Sequence, residues 1–166
     1  MIHPQDHSQP SSKSHWNAYL EDAAATSRLG SRLAGCVEPG MRLYLRGELG
    51  SGKTTLIRGL LRGLGTQAKV KSPTYTLVEL YVTSRLNLYH FDFYRFLDES
   101  EFEDAGLADY FLGKGVCLVE WPERAGNALP PPDLELTLTY SGAGRTVTAQ
   151  ARSPAGERCV AACKYA

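Results

Sequence analysis

Two periodicities of apolar and polar positions run along the chain, and each switch between them marks a new element. His15 to Glu21 reads as a first strand. Asp22 is placed to cap a helix predicted to reach about Val37, with Leu29, Leu33 and Val37 on one face. Glu38-Pro39-Gly40 ends it. Arg42-Leu43-Tyr44-Leu45-Arg46 alternates as a strand. Beyond a glycine-rich stretch, Leu56, Leu60, Leu61 and Leu64 return at helical spacing. Leu77 to Val82 and Leu86 to Phe91 form two short strands about a polar turn, a hairpin. Asp98-Glu99-Ser100-Glu101 has capping-box spacing and opens a helix predicted to reach Phe111. Val116 to Val119 is a buried strand, and Pro130-Pro131-Pro132 a rigid connector. Leu134 to Tyr140 and Thr146 to Ala151 alternate around Ser141-Gly142-Ala143-Gly144, a second hairpin.

The glycine-rich stretch carries the chemistry. Gly47-Glu-Leu-Gly-Ser-Gly-Lys-Thr54 fits G-x-x-x-x-G-K-T, a phosphate-binding loop. Glycines let backbone N–H groups turn onto phosphate oxygens without a Cβ clash. Lys53 has the reach for β- and γ-phosphates, and the Thr54 hydroxyl can ligate Mg²⁺. Strand, loop, then helix places the phosphates at a helix N-terminus, where unpaired N–H groups favour anions. Gly47, Gly50, Ser51, Gly52, Lys53, Thr54 and Thr55 are thus the candidate nucleotide contacts. With helices alternating with strands early and strands dominating late, the fold class is α/β. The expectation is a P-loop NTPase-like sheet with a mostly parallel core, antiparallel additions, and helices on both faces.

Such a loop needs a carboxylate near Mg²⁺, and a strand ending at the sheet's ligand-binding rim supplies one. Val116-Cys117-Leu118-Val119 runs into Glu120, and Leu88-Tyr89-His90-Phe91 runs into Asp92. Glu120 is assigned to the metal, directly or through water. Asp92 is assigned to the γ-phosphate side, orienting water or acting as a second-shell metal ligand. Lys53, Asp92 and Glu120 form the candidate catalytic set. His90 is open to two roles, sensing the γ-phosphate or filling a structural position. Arg95 is either an internal arginine finger or a surface salt-bridge partner. Trp121 either stacks on a base or partner, or packs in the core. Ser72-Pro73-Thr74-Tyr75 is either a nucleotide-sensing segment or a plain turn. The guanine-selecting Asn-Lys-x-Asp motif is absent, so ATP is preferred over GTP.

Composition narrows the class without naming a partner. The chain has 166 residues, 43% hydrophobic and 22% charged, which suits one globular domain over residues 16–166. Met1 to His15 is polar, with two prolines and four serines, and is expected to be a disordered tail. No apolar run approaches the ~20 residues a membrane helix needs, so no membrane partner is expected. Eighteen basic and eighteen acidic residues cancel, which gives no bulk argument for nucleic-acid binding. Basic residues nonetheless cluster from Met41 to Lys71, and six carboxylates fall between Asp98 and Asp109. These are either solvated faces or a basic surface by the phosphate site and an acidic partner surface. Cys36, Cys117, Cys159 and Cys163 match no zinc spacing and are expected to be reduced thiols of a cytoplasmic protein.

In this order, the phosphate loop, Lys71-Ser-Pro-Thr-Tyr-Thr-Leu-Val-Glu79, Tyr89-His-Phe-Asp-Phe-Tyr-Arg95 and Leu118-Val-Glu-Trp-Pro122 resemble the TsaE family. The resemblance spans roughly Leu20 to Ala151. It implies a Mg-ATP-binding ATPase required for threonylcarbamoyladenosine modification beside the tRNA anticodon. Its implied partners are the TsaD and TsaB proteins, with tRNA engaged indirectly through that complex. TsaD carries the transfer chemistry, and ATP hydrolysis resets the complex between cycles. Thr54 and Glu120 match the family's metal positions, and Asp92 its second acidic residue. Arg145 matches a position expected to touch nucleotide, and Asp22 to Ala25 falls where adenine is contacted. Two other classes share the loop: a small-molecule kinase, and a non-hydrolysing ATP-dependent scaffold.

Overall fold

The alternation on β2 (Arg42–Arg46) and β5 (Val116–Glu120) sorts the core into two layers. In a computed structural model describing residues 13–164, Leu43, Leu45, Val116 and Leu118 face one apolar cluster, while Tyr44, Cys117 and Val119 face another. The remaining strands are β1 (His15–Leu20), β3 (Val78–Val82), β4 (Asn87–Asp92), β6 (Leu134–Ser141) and β7 (Gly144–Ala151). They form one seven-stranded sheet in the order β1-β7-β6-β2-β5-β4-β3. The central neighbours β6, β2, β5 and β4 pair in parallel, and the flanking pairs β1–β7, β6–β7 and β3–β4 are antiparallel. This is the mixed architecture expected.

Helices α1 (Ala23–Leu33), α2 (Lys53–Gly63) and α4 (Pro154–Lys164) cover the first cluster, with α1 packed along α2. The two axes come close because glycines line the seam. A Cβ on Gly59 would stand 2.2 Å from the Ser27 carbonyl oxygen, and one on Gly30 would stand 2.1 Å from that of Leu56. The second cluster is aromatic: Phe91, Phe93, Phe96, Phe102 and Phe111 are all buried there. Phe93 stacks on Phe96 and Phe91 on Phe111, with centroids 4.7 and 4.9 Å apart. Helix α3 (Ser100–Asp104) supplies Phe102 to this layer.

Four expectations need correction. The helix from Asp98 does not reach Phe111. It ends at Asp104, Gly106 turns left-handed at φ +69°, and a 3-10 turn over Ala108–Phe111 follows. Capping-box spacing located its start, because Glu101 Oε2 accepts the Asp98 N–H at 3.2 Å, and the left-handed Gly106 just past the Ala105 cap is the stop that helical spacing overruns. Helix α1 likewise ends at Leu33, short of Val37, although Val37 is still buried. Of the expected tail, residues 1–12 lie outside the described residues. His15, however, pairs with Gln150, and the Ser14 carbonyl accepts the Ala151 N–H at 2.7 Å. Finally, the expectation of four reduced thiols fails for two. Cys36 and Cys159 form a disulfide, Cα atoms 5.3 Å apart, and Cys117 and Cys163 remain free and buried. That pairing depends on α4 returning beside the end of α1, and no element had been assigned beyond Ala151. Among the described residues, no helix is long and apolar enough to cross a membrane.

Candidate functional site

Strand β2 delivers the chain to the loop, and the first turn of α2 receives it. Gly52 caps α2 at φ +107°, a conformation that would strain an L side chain. Gly47, at φ +146°, lies so near β6 that a Cβ would meet the Leu138 carbonyl oxygen at 2.6 Å. The loop closes on itself. Lys53 Nζ donates to the carbonyls of Gly47 at 2.6 Å and Glu48 at 2.9 Å, and it sits 4.4 Å from the centroid of the Trp121 ring. Burial holds the Lys53 ammonium below its usual range, and Glu120, Glu123 and Asp92 pull against that shift. Ser51 Oγ is buried without a partner among the described residues, which leaves a donor in the loop unused.

Strands β4 and β5 end side by side, and their register sets Asp92 opposite Glu120. Both carboxylates are buried. Thr54 Oγ1 lies 3.0 and 3.2 Å from the two oxygens of Glu120, and His90 Nε2 lies 2.6 Å from Oε2. Asp92 Oδ2 accepts from Ser72 Oγ at 2.9 Å and Thr74 Oγ1 at 3.2 Å, while Oδ1 accepts the Tyr94 N–H at 2.9 Å. The Ser-Pro-Thr segment is therefore more than a plain turn, because its hydroxyls are tied to the rim carboxylate.

Two adjoining cavities meet over the loop, about 150 and about 210 Å³ in volume, and share Gly50, Gly52 and Thr55. Lys53, Thr54, Asp92, Glu120, Ser72 and Trp121 line the larger. The smaller adds Ser51, Asp22, Ala23, Thr26 and Arg145. Arg145 Nη2 donates to the Gly50 carbonyl at 3.3 Å, and its guanidinium lies 4.2 Å from the centroid of Tyr140. Tyr140 in turn donates to the Leu49 carbonyl at 2.6 Å. Strand β7, reaching past β6, thus brings a distant arginine onto the loop. Gly47 lines neither cavity and acts through its carbonyl bond to Lys53.

Other sequence candidates land elsewhere. His90 is fully buried and bonds Glu120; it is absent from both cavity linings. Arg95 forms no ion pair among the described residues and lies 4.1 Å from the Tyr75 ring centroid, with Tyr75 itself 83% exposed. Trp121 adopts φ +59° directly before Pro122, a doubly restricted position, and its ring both packs half-buried against the aromatic cluster and lies 4.4 Å from Lys53 Nζ. Nothing in local sequence marked Tyr140, which the β6–β7 hairpin brings to the loop, or Thr26, which α1 sets against Gly52.

The donor set fits a metal–nucleotide complex. Buried donors at Lys53 and Ser51 suit anionic oxygens, and the Thr54 hydroxyl with paired rim carboxylates suits a hard divalent cation.

Comparison with known proteins gives one consistent result. The family model for the threonylcarbamoyl adenosine biosynthesis protein TsaE matches residues 20–148. The tRNA threonylcarbamoyladenosine biosynthesis protein TsaE of Haemophilus influenzae is 40% identical over 149 residues, covering 87% of this chain and 94% of its own. That of Bacillus subtilis is 44% identical over 122 residues, covering 74% of each chain. The crystal structure of YdiB from Bacillus subtilis superposes with a TM-score of 0.78 at 32% identity, covering 90% of this chain and 94% of that one.

Proposed function

The chain belongs to the TsaE family, and from that premise we propose that it is a Mg²⁺-dependent ATPase of tRNA threonylcarbamoyladenosine biosynthesis. It works in the cytoplasm with the TsaD and TsaB proteins, and meets tRNA only through them. Hydrolysis resets that complex between catalytic cycles; this chain does not transfer the threonylcarbamoyl group.

The observation that carries the reading is the convergence of Lys53, Thr54, Asp92 and Glu120 on one cavity above the phosphate loop. Lys53 exchanges the Gly47 and Glu48 carbonyls for β- and γ-phosphate oxygens, gaining charge-assisted bonds. Gly50, Ser51, Gly52 and Thr55 offer the loop and helix N-terminus to the same phosphates. Thr54 and Glu120 hold Mg²⁺, which when bound neutralises phosphate charge in the transition state. Asp92, with Ser72 and Thr74, orders the γ-phosphate side and orients the attacking water. Arg145 and the start of α1 hold the nucleoside end.

The acidic segment after Leu97 offers no arginine-bearing lid of the kind a small-molecule kinase uses to exclude water. The function is tested by ATP hydrolysis with Mg²⁺, with and without purified TsaD and TsaB. The expected result is turnover stimulated by the partners and lost in Glu120→Ala and Asp92→Ala. A folded protein with no nucleotide binding and no stimulation overturns it.

A further inference from the structure

His90 lies on β4 two residues before Asp92, fully buried. Its Nε2 meets Glu120 Oε2 at 2.6 Å across the β4–β5 pair, and the register sets His90 opposite Leu118. Both side chains are almost completely out of solvent, 0% and 4% exposed. Thr54 touches the same carboxylate from the α2 side. Glu120 is thus gripped from behind by His90 and faced from the front by Thr54.

The hydrogen in this contact has one place to be. A carboxylate only accepts, so Nε2 carries the N–H. Nδ1 is buried with no partner among the described residues. A second N–H there would be stranded in the core, whereas a bare lone pair costs less. The ring is therefore held with Nε2–H toward Glu120 and Nδ1 bare.

We propose that His90 is a positioning residue: its Nε2–H fixes Oε2 of Glu120, so that Oε1, the oxygen nearer Thr54, is the one left for the divalent cation. This rests on the assignment of Glu120 to the metal. A carboxylate on a free rotor has two equivalent oxygens and a broad terminal torsion. Pinning one oxygen removes that freedom before the cation arrives. Outer-shell partners of this kind set metal affinity by orienting the ligand, and their loss commonly costs 10–100-fold. The buried bond also explains why a histidine, with its rigid reach, stands between Leu88, Tyr89 and Phe91 on β4.

The test uses the full chain, a non-hydrolysable ATP analogue and calorimetry across a Mg²⁺ series. His90→Met removes the donor while filling space; His90→Gln keeps an N–H donor. The expected result is that His90→Met raises the Mg²⁺ concentration for half-maximal binding by about tenfold or more. Metal-free analogue binding stays unchanged, and His90→Gln recovers most of the loss. Equal Mg²⁺ dependence in wild type and His90→Met overturns the proposal, as does equal loss in both variants. Long-range ¹H–¹⁵N spectra of the wild type give a second decision should His90→Met fail to fold. Nε2–H with and without Mg²⁺ is expected, and Nδ1–H overturns the proposal. If wild-type binding shows no Mg²⁺ dependence, the metal assignment of Glu120 falls instead, while the spectra still decide the His90–Glu120 bond.

Discussion

Thr54 and Glu120 stand 66 residues apart in sequence, yet the threonine hydroxyl lies 3.0 Å from one carboxylate oxygen and 3.2 Å from the other. The first turn of α2 and the last residue of β5 make this contact, with β2 between them aligning both. Replacing Glu120 with Ala removes the carboxylate but leaves the loop intact. The expected outcome is a fall in Mg²⁺-dependent ATP turnover of roughly 100-fold or more, with metal-free nucleotide affinity within about threefold. Steady-state kinetics beside calorimetry in chelator checks both halves.

Lys53→Ala should act in the opposite way. The loop loses its one buried cation, whose bonds to the Gly47 and Glu48 carbonyls stand in for phosphate contacts. A charge-assisted bond contributes roughly 1.5–3 kcal/mol, so affinity should fall on the order of 10–100-fold with or without Mg²⁺. Equilibrium binding in both conditions measures it.

Arg145, proposed above to hold the nucleoside end, bonds the Gly50 carbonyl and lies over the Tyr140 ring. Arg145→Ala should weaken nucleotide binding by about threefold to tenfold, the scale of one exposed polar contact. It should leave the Mg²⁺ dependence unchanged, since no metal-site residue touches it. A change in Mg²⁺ half-saturation would show that the two cavities are not separable.

Gly59→Ala tests the helix seam. Its new methyl would stand 2.2 Å from the Ser27 carbonyl oxygen, and neither helix backbone can yield without shifting the other. The expected cost is on the order of 3 kcal/mol, or a melting temperature lower by roughly 10 °C. Calorimetric melting of the variant reads it directly.

Alkaline stability should follow the two buried thiols. Burial pushes Cys117 up to about 12 and Cys163 up to about 11, from an ordinary 9.0. Above pH 9 the unfolded chain releases these protons while the native state keeps them. Their contribution is therefore complete below pH 9 and falls as pH climbs toward the folded values. Lys53, lowered by burial, works in the other direction. Denaturant unfolding at pH 8 and 10.5 should show a smaller pH loss in Cys117→Ala/Cys163→Ala than in wild type.

The phosphate loop and both rim carboxylates were legible because each lies at a switch in local periodicity: Glu120 after four apolar residues, Asp92 after β4. The strands around them were legible for the same reason. What stayed hidden depends on residues far apart in sequence. The stop at Gly106 is the exception, a local glycine signal that also lets Phe102 and Phe111 enter one aromatic layer, which a continuous helix would not do. The Cys36–Cys159 pair and the Tyr140–Leu49 bond span 123 and 91 residues. His90 was ambiguous because a strand pattern gives its face but not its partner. Arg95 stays open between an arginine finger and a salt bridge in the sequence, which shows its charge and not the neighbouring Tyr75 ring.

The glycine seam between α1 and α2 has a consequence for selectivity. The N-terminus of α1 lines the smaller cavity and that of α2 lines both, the places proposed above for nucleoside and phosphates. Because the helices approach backbone to backbone at Gly30 and Gly59, the span between these two ends is fixed as in a calliper. Varying residues around the groove can change which base or sugar is accepted. It cannot change how far apart base and phosphates must be. Directed evolution at the pocket walls should therefore yield variants that swap nucleobase, and none that accept a longer or shorter molecule.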